Sequence, residues 1–169
     1  MNLSTFIWSM SVVAFSGSEP HYIYDVRSSF HDNMESEKVL SEITDMPIGA
    51  DNAVVLGYQG ISDAMLAQYS FFVLTKYIHF KDGKEKIEKA IELEPHNAEL
   101  RYLRLLVQLN TPGFLGYQQN IEEDIDHFVK HIRFSGLSEE WISTFVNNLL
   151  ISKNMESKYR KMLTTFVNA

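Results

Sequence analysis

The chain has 169 residues, 45% of them hydrophobic, and a formal net charge of −7 from 22 acidic and 15 basic residues, with no cysteine. That length favours one domain, and that apolar fraction excludes wholesale disorder. The missing thiols exclude disulfides, thiolate metal sites and cysteine nucleophiles. An acidic chain without a lysine/arginine cluster repels phosphate backbones, which argues against a nucleic-acid partner.

The chain opens on Phe6 to Phe15, a mostly apolar run followed by Ser16, Gly17 and Ser18. Small residues after a short apolar run resemble the end of a secretory signal, with cleavage near Ser16 or Ser18. The expectation is a signal peptide over 1–18 and a single helical domain over 20–169, exported to a periplasm or secreted. No lysine or arginine precedes the run. The alternative is a first core helix or a disordered start in a cytoplasmic protein. Ten residues are too few to span a bilayer, so no stable membrane span is expected in the mature chain.

From about Tyr22 to His31, the apolar residues Ile23, Val26 and Phe30 follow helical spacing. A second short helix is expected from about Glu35 to Ile43, ended by Pro47 and Gly49. Asp51 is a candidate cap for a helix from about Asn52 to Tyr69. Gly57 and Gly60 lie inside it. Interior glycines cost about 1 kcal/mol against alanine, so the close approach of a neighbouring helix is expected there. Phe71-Phe72-Val73 reads as a buried turn or a helix continuation. A helix from about Thr75 to Glu94 puts Tyr77, Phe80, Ile87, Ala90 and Ile91 inward, with Asp82-Gly83 as a kink or a division.

Pro95 ends that helix, because the residue before proline is pushed out of the α region. Asn97 caps the next, Ala98 to about Leu109, which Thr111-Pro112-Gly113 stops. Phe114 to Tyr117 reads as an apolar loop. Further helices are expected over Gln118–Ile132, from Glu139 behind a Ser138 cap, and over about Met155–Phe166. No segment alternates apolar and polar residues between hairpin turns, so essentially no sheet is expected. Short breaks between seven or eight helices force antiparallel neighbours.

Gly83, Ile87, Ala90, Ile91 and Pro95 carry the clearest likeness to a known family. The stretch Gly83 to Glu99 resembles the second helix and inter-repeat turn of a tetratricopeptide repeat. Gly83 and Ala90 take its small positions and Pro95 its turn, and Leu56-Gly57 resembles the first-helix leucine–glycine pair. Gly57 and Leu105 would be matching positions, yet they lie 48 residues apart, against a standard period of about 34. Arg101 stands where the motif prefers an aromatic and Leu105 where it prefers a small residue. The resemblance therefore implies an all-α, irregular tetratricopeptide-like stack of antiparallel helix pairs. Residues 97–104 and 111–117 are also similar to a group of small uncharacterised bacterial helical proteins, a likeness that supplies no function.

Two sets of polar residues are candidate sites. On Ala98–Leu109, apolar residues spread around most of the circumference, and Arg101, Arg104 and Gln108 share a polar gap within about 60°. Arginines on such a helix need partners, because an unpaired buried charge is very costly. Glu92, Glu122, Glu123 and Asp124 are the expected internal ones. The functional alternative is a pocket for a carboxylate or acidic peptide terminus held by a guanidinium fork. Glu99 falls outside the gap, in the first turn, where it is expected to reach solvent.

Glu123, His127 and His131 recur every four residues, a weak candidate metal site on a stripe expected to be solvated. No nucleophile elbow or phosphate-binding glycine loop is present. The expectation is a non-catalytic protein- or peptide-interaction module without a cofactor. The alternative is a small-ligand or carboxylate-binding, even enzymatic, domain using Arg101 and Arg104.

Overall fold

The computed structural model describes residues 20–47 and 52–168. The expected signal peptide and its cleavage sites lie outside the described residues, as does Asp51. The described residues form eight α-helices and no strand: α1 His21–Asp32, α2 Glu37–Thr44, α3 Ala53–Leu66, α4 Val73–Leu93, α5 Ala98–Asn110, α6 Ile121–His131, α7 Glu139–Leu150 and α8 Ser157–Val167. None of them is long and apolar enough to cross a membrane.

Local chemistry accounts for most of the boundaries. Ser36 caps α2 by accepting from Val39 N, and Asn52 caps α3 by accepting from Val55 N. Asn97 accepts from Glu99 N and Leu100 N at the start of α5, and Ser138 accepts from Trp141 N at α7. Each cap satisfies backbone donors that the first turn leaves open.

α3 and α4 form an antiparallel hairpin, the most closely associated helix pair among the described residues. Its closeness depends on missing side chains. A Cβ built on Gly60 would meet the Gly83 carbonyl oxygen at 2.7 Å and Ile87 Cγ1 at 2.7 Å, and one on Gly83 would meet the Gly60 oxygen and the Ala64 backbone. A Cβ on Gly57 would meet Leu100 Cδ2 at 2.6 Å, which ties the hairpin to α5. Gly83 therefore does not divide the helix as Asp82-Gly83 suggested. α4 runs through it unbroken, because the glycine serves a lateral contact and the ladder of backbone hydrogen bonds continues.

α5 is the hub and contacts α3, α4, α6 and α7. Tyr102 at its centre stacks on Phe145 of α7 with ring centroids 4.1 Å apart. α1 packs on α3, and α8 closes the far side against α6 and α7.

The start of α4 departs from expectation. α4 has 21 residues and α3 has 14. Asp63 near the end of α3 already pairs with His79, so the first turns of α4 run past the end of its partner. Phe71, at 91% exposure, and Phe72 therefore stand in an exposed bend, neither a buried turn nor a helix continuation. Tyr77, expected inward, is 52% exposed for the same reason. The Phe114–Tyr117 loop also divides: Gly113–Leu115 forms one 3-10 turn, Phe114 projects outward and Tyr117 is buried.

Candidate functional site

Arg104 is held on three sides. Its Nε and Nη2 donate to the two carboxylate oxygens of Asp124, both at 2.6 Å, and its Nη1 donates to Glu88 Oε2 at 2.8 Å. Glu88 in turn accepts from the Tyr117 hydroxyl at 2.7 Å. Burial alone would lower the Arg104 pKa, but Asp124 and Glu88 outweigh it and hold the value above the ordinary one. Burial, followed by the adjacent Glu88, pushes the Tyr117 phenol up.

Arg101 donates to Asp124 at 2.9 Å, to Glu123 at 3.1 Å and to the Pro95 carbonyl at 3.1 Å. Of the four expected partners, Asp124 and Glu123 take the arginines. Glu122 sits with Lys158 and Tyr159 instead. Glu88, one helical turn before Glu92, makes the remaining contact. Gln108, the third residue of the stripe, is fully buried, and neither its Oε1 nor its Nε2 has a partner among the described residues.

A second polar centre escaped the sequence reading. Arg27 Nε and Nη2 donate to the two oxygens of Glu99 at 2.6 and 2.8 Å, and the Tyr58 hydroxyl donates to Glu99 at 2.7 Å. Glu99 is 3% exposed, so the expectation that it reaches solvent is overturned. The first turn of α5 is covered by α1 and α3. One signal was available: Ile23, Val26, Arg27 and Phe30 share one helical face, so Arg27 occupies an apolar-stripe position.

The network continues from Tyr58. His31 Nε2 lies 3.2 Å from the Tyr58 hydroxyl, and Asn148 Nδ2 lies 3.3 Å from His31 Nδ1 and 3.0 Å from the Tyr102 hydroxyl. An amide donor at Nδ1 requires a neutral ring protonated on Nε2. Burial first, then the Arg27 charge, lowers the His31 pKa to about 4 against a weaker opposing effect of Asp32.

The histidine stripe is not fully solvated. His127 stacks between His131, with centroids 4.2 Å apart, and His96, at 6.4 Å, and both its ring nitrogens are covered. Burial and these like-charged neighbours lower its pKa. Glu123 is engaged with Arg101 and Asn120, and His131 Nδ1 lies 2.8 Å from the His127 carbonyl. Among the described residues, no group of three or more acidic or histidine side chains is placed to hold a metal ion.

The open feature lies on another face of α5. A groove of about 990 Å³ runs between the end of α3, the start of α4 and the end of α5. Ile61, Met65, Leu74, Tyr77, Leu106 and Phe114 supply much of its apolar wall, and among the described residues Lys76 and Lys153 are the only charged ones that line it. Arg101, Arg104 and Gln108 do not line it. Phe71 and Phe72 immediately precede the segment that does, and Phe114 is 87% exposed. The sequence carried a signal for this surface too. Phe71 to Leu74, with Tyr77 and Ile78, is an apolar run too continuous for the period of one buried helix face.

The chain matches no protein-family model, no curated protein and no solved structure.

Proposed function

We propose that the chain is a non-catalytic helical interaction module that docks an apolar segment of a protein or peptide partner in the groove between α3, α4 and α5. The exposed apolar lip at the start of α4, facing Phe114, carries this reading. Scattered surface hydrophobes need no explanation, but a contiguous apolar patch beside a concavity marks a binding surface. An open trough between helices suits the packing of an incoming amphipathic helix.

The tetratricopeptide-like reading draws support from the hairpin. Gly57 approaches Ala90, Gly83 approaches Gly60 and Ala64, and Pro95 follows α4. The carboxylate-pocket reading has less support, because the Arg104 fork already holds Asp124 and Glu88.

Affinity capture from the native source, run in parallel with wild type and Leu74→Glu, tests the proposal. Leu74 is exposed, so the variant should melt with the wild type while losing the captured partner. A partner retained equally by Leu74→Glu overturns the groove reading. One lost selectively by a folded Arg104→Ala protein returns the function to the arginines.

A further inference from the structure

We infer that the groove's occupant is an amphipathic helix presenting about two turns of apolar residues flanked by carboxylates. The inference rests on the groove being the docking site and concerns what fills it.

Length is the first argument. The part of α4 that lines the groove runs from Val73 to Phe80, about 10 Å of helix at 1.5 Å per residue. Val73, Leu74, Tyr77 and Phe80 line it at helical spacing, a stretch that matches an apolar stripe at positions i, i+3, i+4 and i+7 of a partner helix.

Charge is the second. The whole chain carries −7, yet among the described residues the groove's lining holds Lys76 and Lys153 and no carboxylate. Lys38, Lys81, Lys86 and Lys158 pair with Glu42, Glu85, Asp63 and Glu122, whereas Lys89, Lys130 and Lys161 pair with no acid among the described residues; what sets Lys76 and Lys153 apart is their place on the apolar groove. The ammonium groups of Lys76 and Lys153 have no partner among the described residues. They stand on different walls, Lys76 in the first turn of α4 and Lys153 in the connection from α7 to α8, beside Asn110. A helix bedded between them brings its flanking side chains to both. Acidic flanks are attracted there, and basic flanks are repelled. Two copies of this chain joined groove to groove would set these lysines against each other, which disfavours self-docking.

A displayed library of amphipathic helices tests this directly. The apolar stripe is fixed, and the flanking positions vary among Glu, Gln and Lys. The full chain serves as bait, with Leu74→Glu as the counter-selection and K76E/K153E as the charge-reversed bait. Wild type should enrich Glu at the flanks, and K76E/K153E should bind the winning peptide about tenfold more weakly. Equal enrichment of Glu, Gln and Lys overturns the acidic flank and leaves the docking site standing. No enrichment above the Leu74→Glu background overturns the docking site itself. Failure to enrich any helix, with tight binding of a fluorescent hexadecanoate analogue, reassigns the groove to a single-chain carboxylate.

Discussion

The two arginine centres and the α4 groove are opposite solutions to the same packing problem. Around Arg104 and Arg27, charged side chains are taken out of water, and bidentate carboxylates replace their hydration. At the start of α4, large aromatics stand exposed, and no helix among the described residues covers them. Each centre closes on partners within the chain, whereas the lip stays open among the described residues. The charged residues are therefore where substitution should cost stability, and the hydrophobic ones are where it should cost recognition. That inverts the usual assumption that exposed function is polar and buried structure apolar.

The largest expected effect comes from opening a closed centre. Asp124→Ala leaves the buried Arg104 fork with Glu88 alone and removes one of Arg101's anchors. Breaking a buried pair from one side costs about 3–5 kcal/mol. Chemical denaturation should show a loss of that size, with a smaller one for Asp124→Asn, which keeps the shape and part of the hydrogen bonding. Equal stability of Asp124→Ala and wild type would remove the distinction between the two regions.

Acid should act on the other centre. The His31 pKa falls from its ordinary 6.5 to about 4 in the folded chain. Between those values the unfolded chain binds a proton that the folded chain does not. Stability is therefore lost as pH falls from about 6.5 towards about 4, by up to about 3 kcal/mol, and levels off below that. Melting temperatures across this range measure the slope. His31→Gln should flatten it, whereas an unchanged slope would place the acid sensitivity elsewhere.

The hairpin gives the next effect. Gly60→Ala puts a methyl group against the Gly83 carbonyl and Ile87, both across the helix interface. Overpacking of this kind costs about 1–3 kcal/mol, more than the helix propensity gained by replacing glycine. A Gly60→Ala protein more stable than wild type would show that the two helices separate readily.

The smallest effect on stability is expected at the lip. Phe72→Ser and Phe114→Ser should stay within about 0.5 kcal/mol of wild type in denaturant melts, as surface substitutions usually do. A loss above about 2 kcal/mol at either position would mean that the aromatics are structural, and the contrast drawn above would fail.

Local patterns carried the helices. The caps Asn97 and Ser138, the stop at Pro95 and the spacing of Ile23, Val26 and Phe30 are short-range signals, and each produced a boundary or a face. The pairing of Arg101 and Arg104 with Asp124 and Glu123 was also legible, since burial of their helix demanded acids and α6 begins with them. Glu99 shows the limit. Its position in a first turn suggests solvent, and only the arrival of α1 and α3 buries it with Arg27 and Tyr58. Tyr77 shows the converse, a residue with the period of a core position that stands half exposed along the groove.

The sequence by itself determined that this chain is helical and where most of its helices begin and end, because helix periodicity, caps and breakers act over a few neighbouring residues. It also determined that Arg101 and Arg104 need acidic partners, because a buried guanidinium without one is too costly. Only the tertiary structure decided that Arg27 and Glu99 form a second buried pair, and that α4 overshoots α3 to leave an apolar groove lined by two lysines. Those outcomes depend on the relative lengths and crossing positions of helices far apart in the chain, which no local pattern encodes.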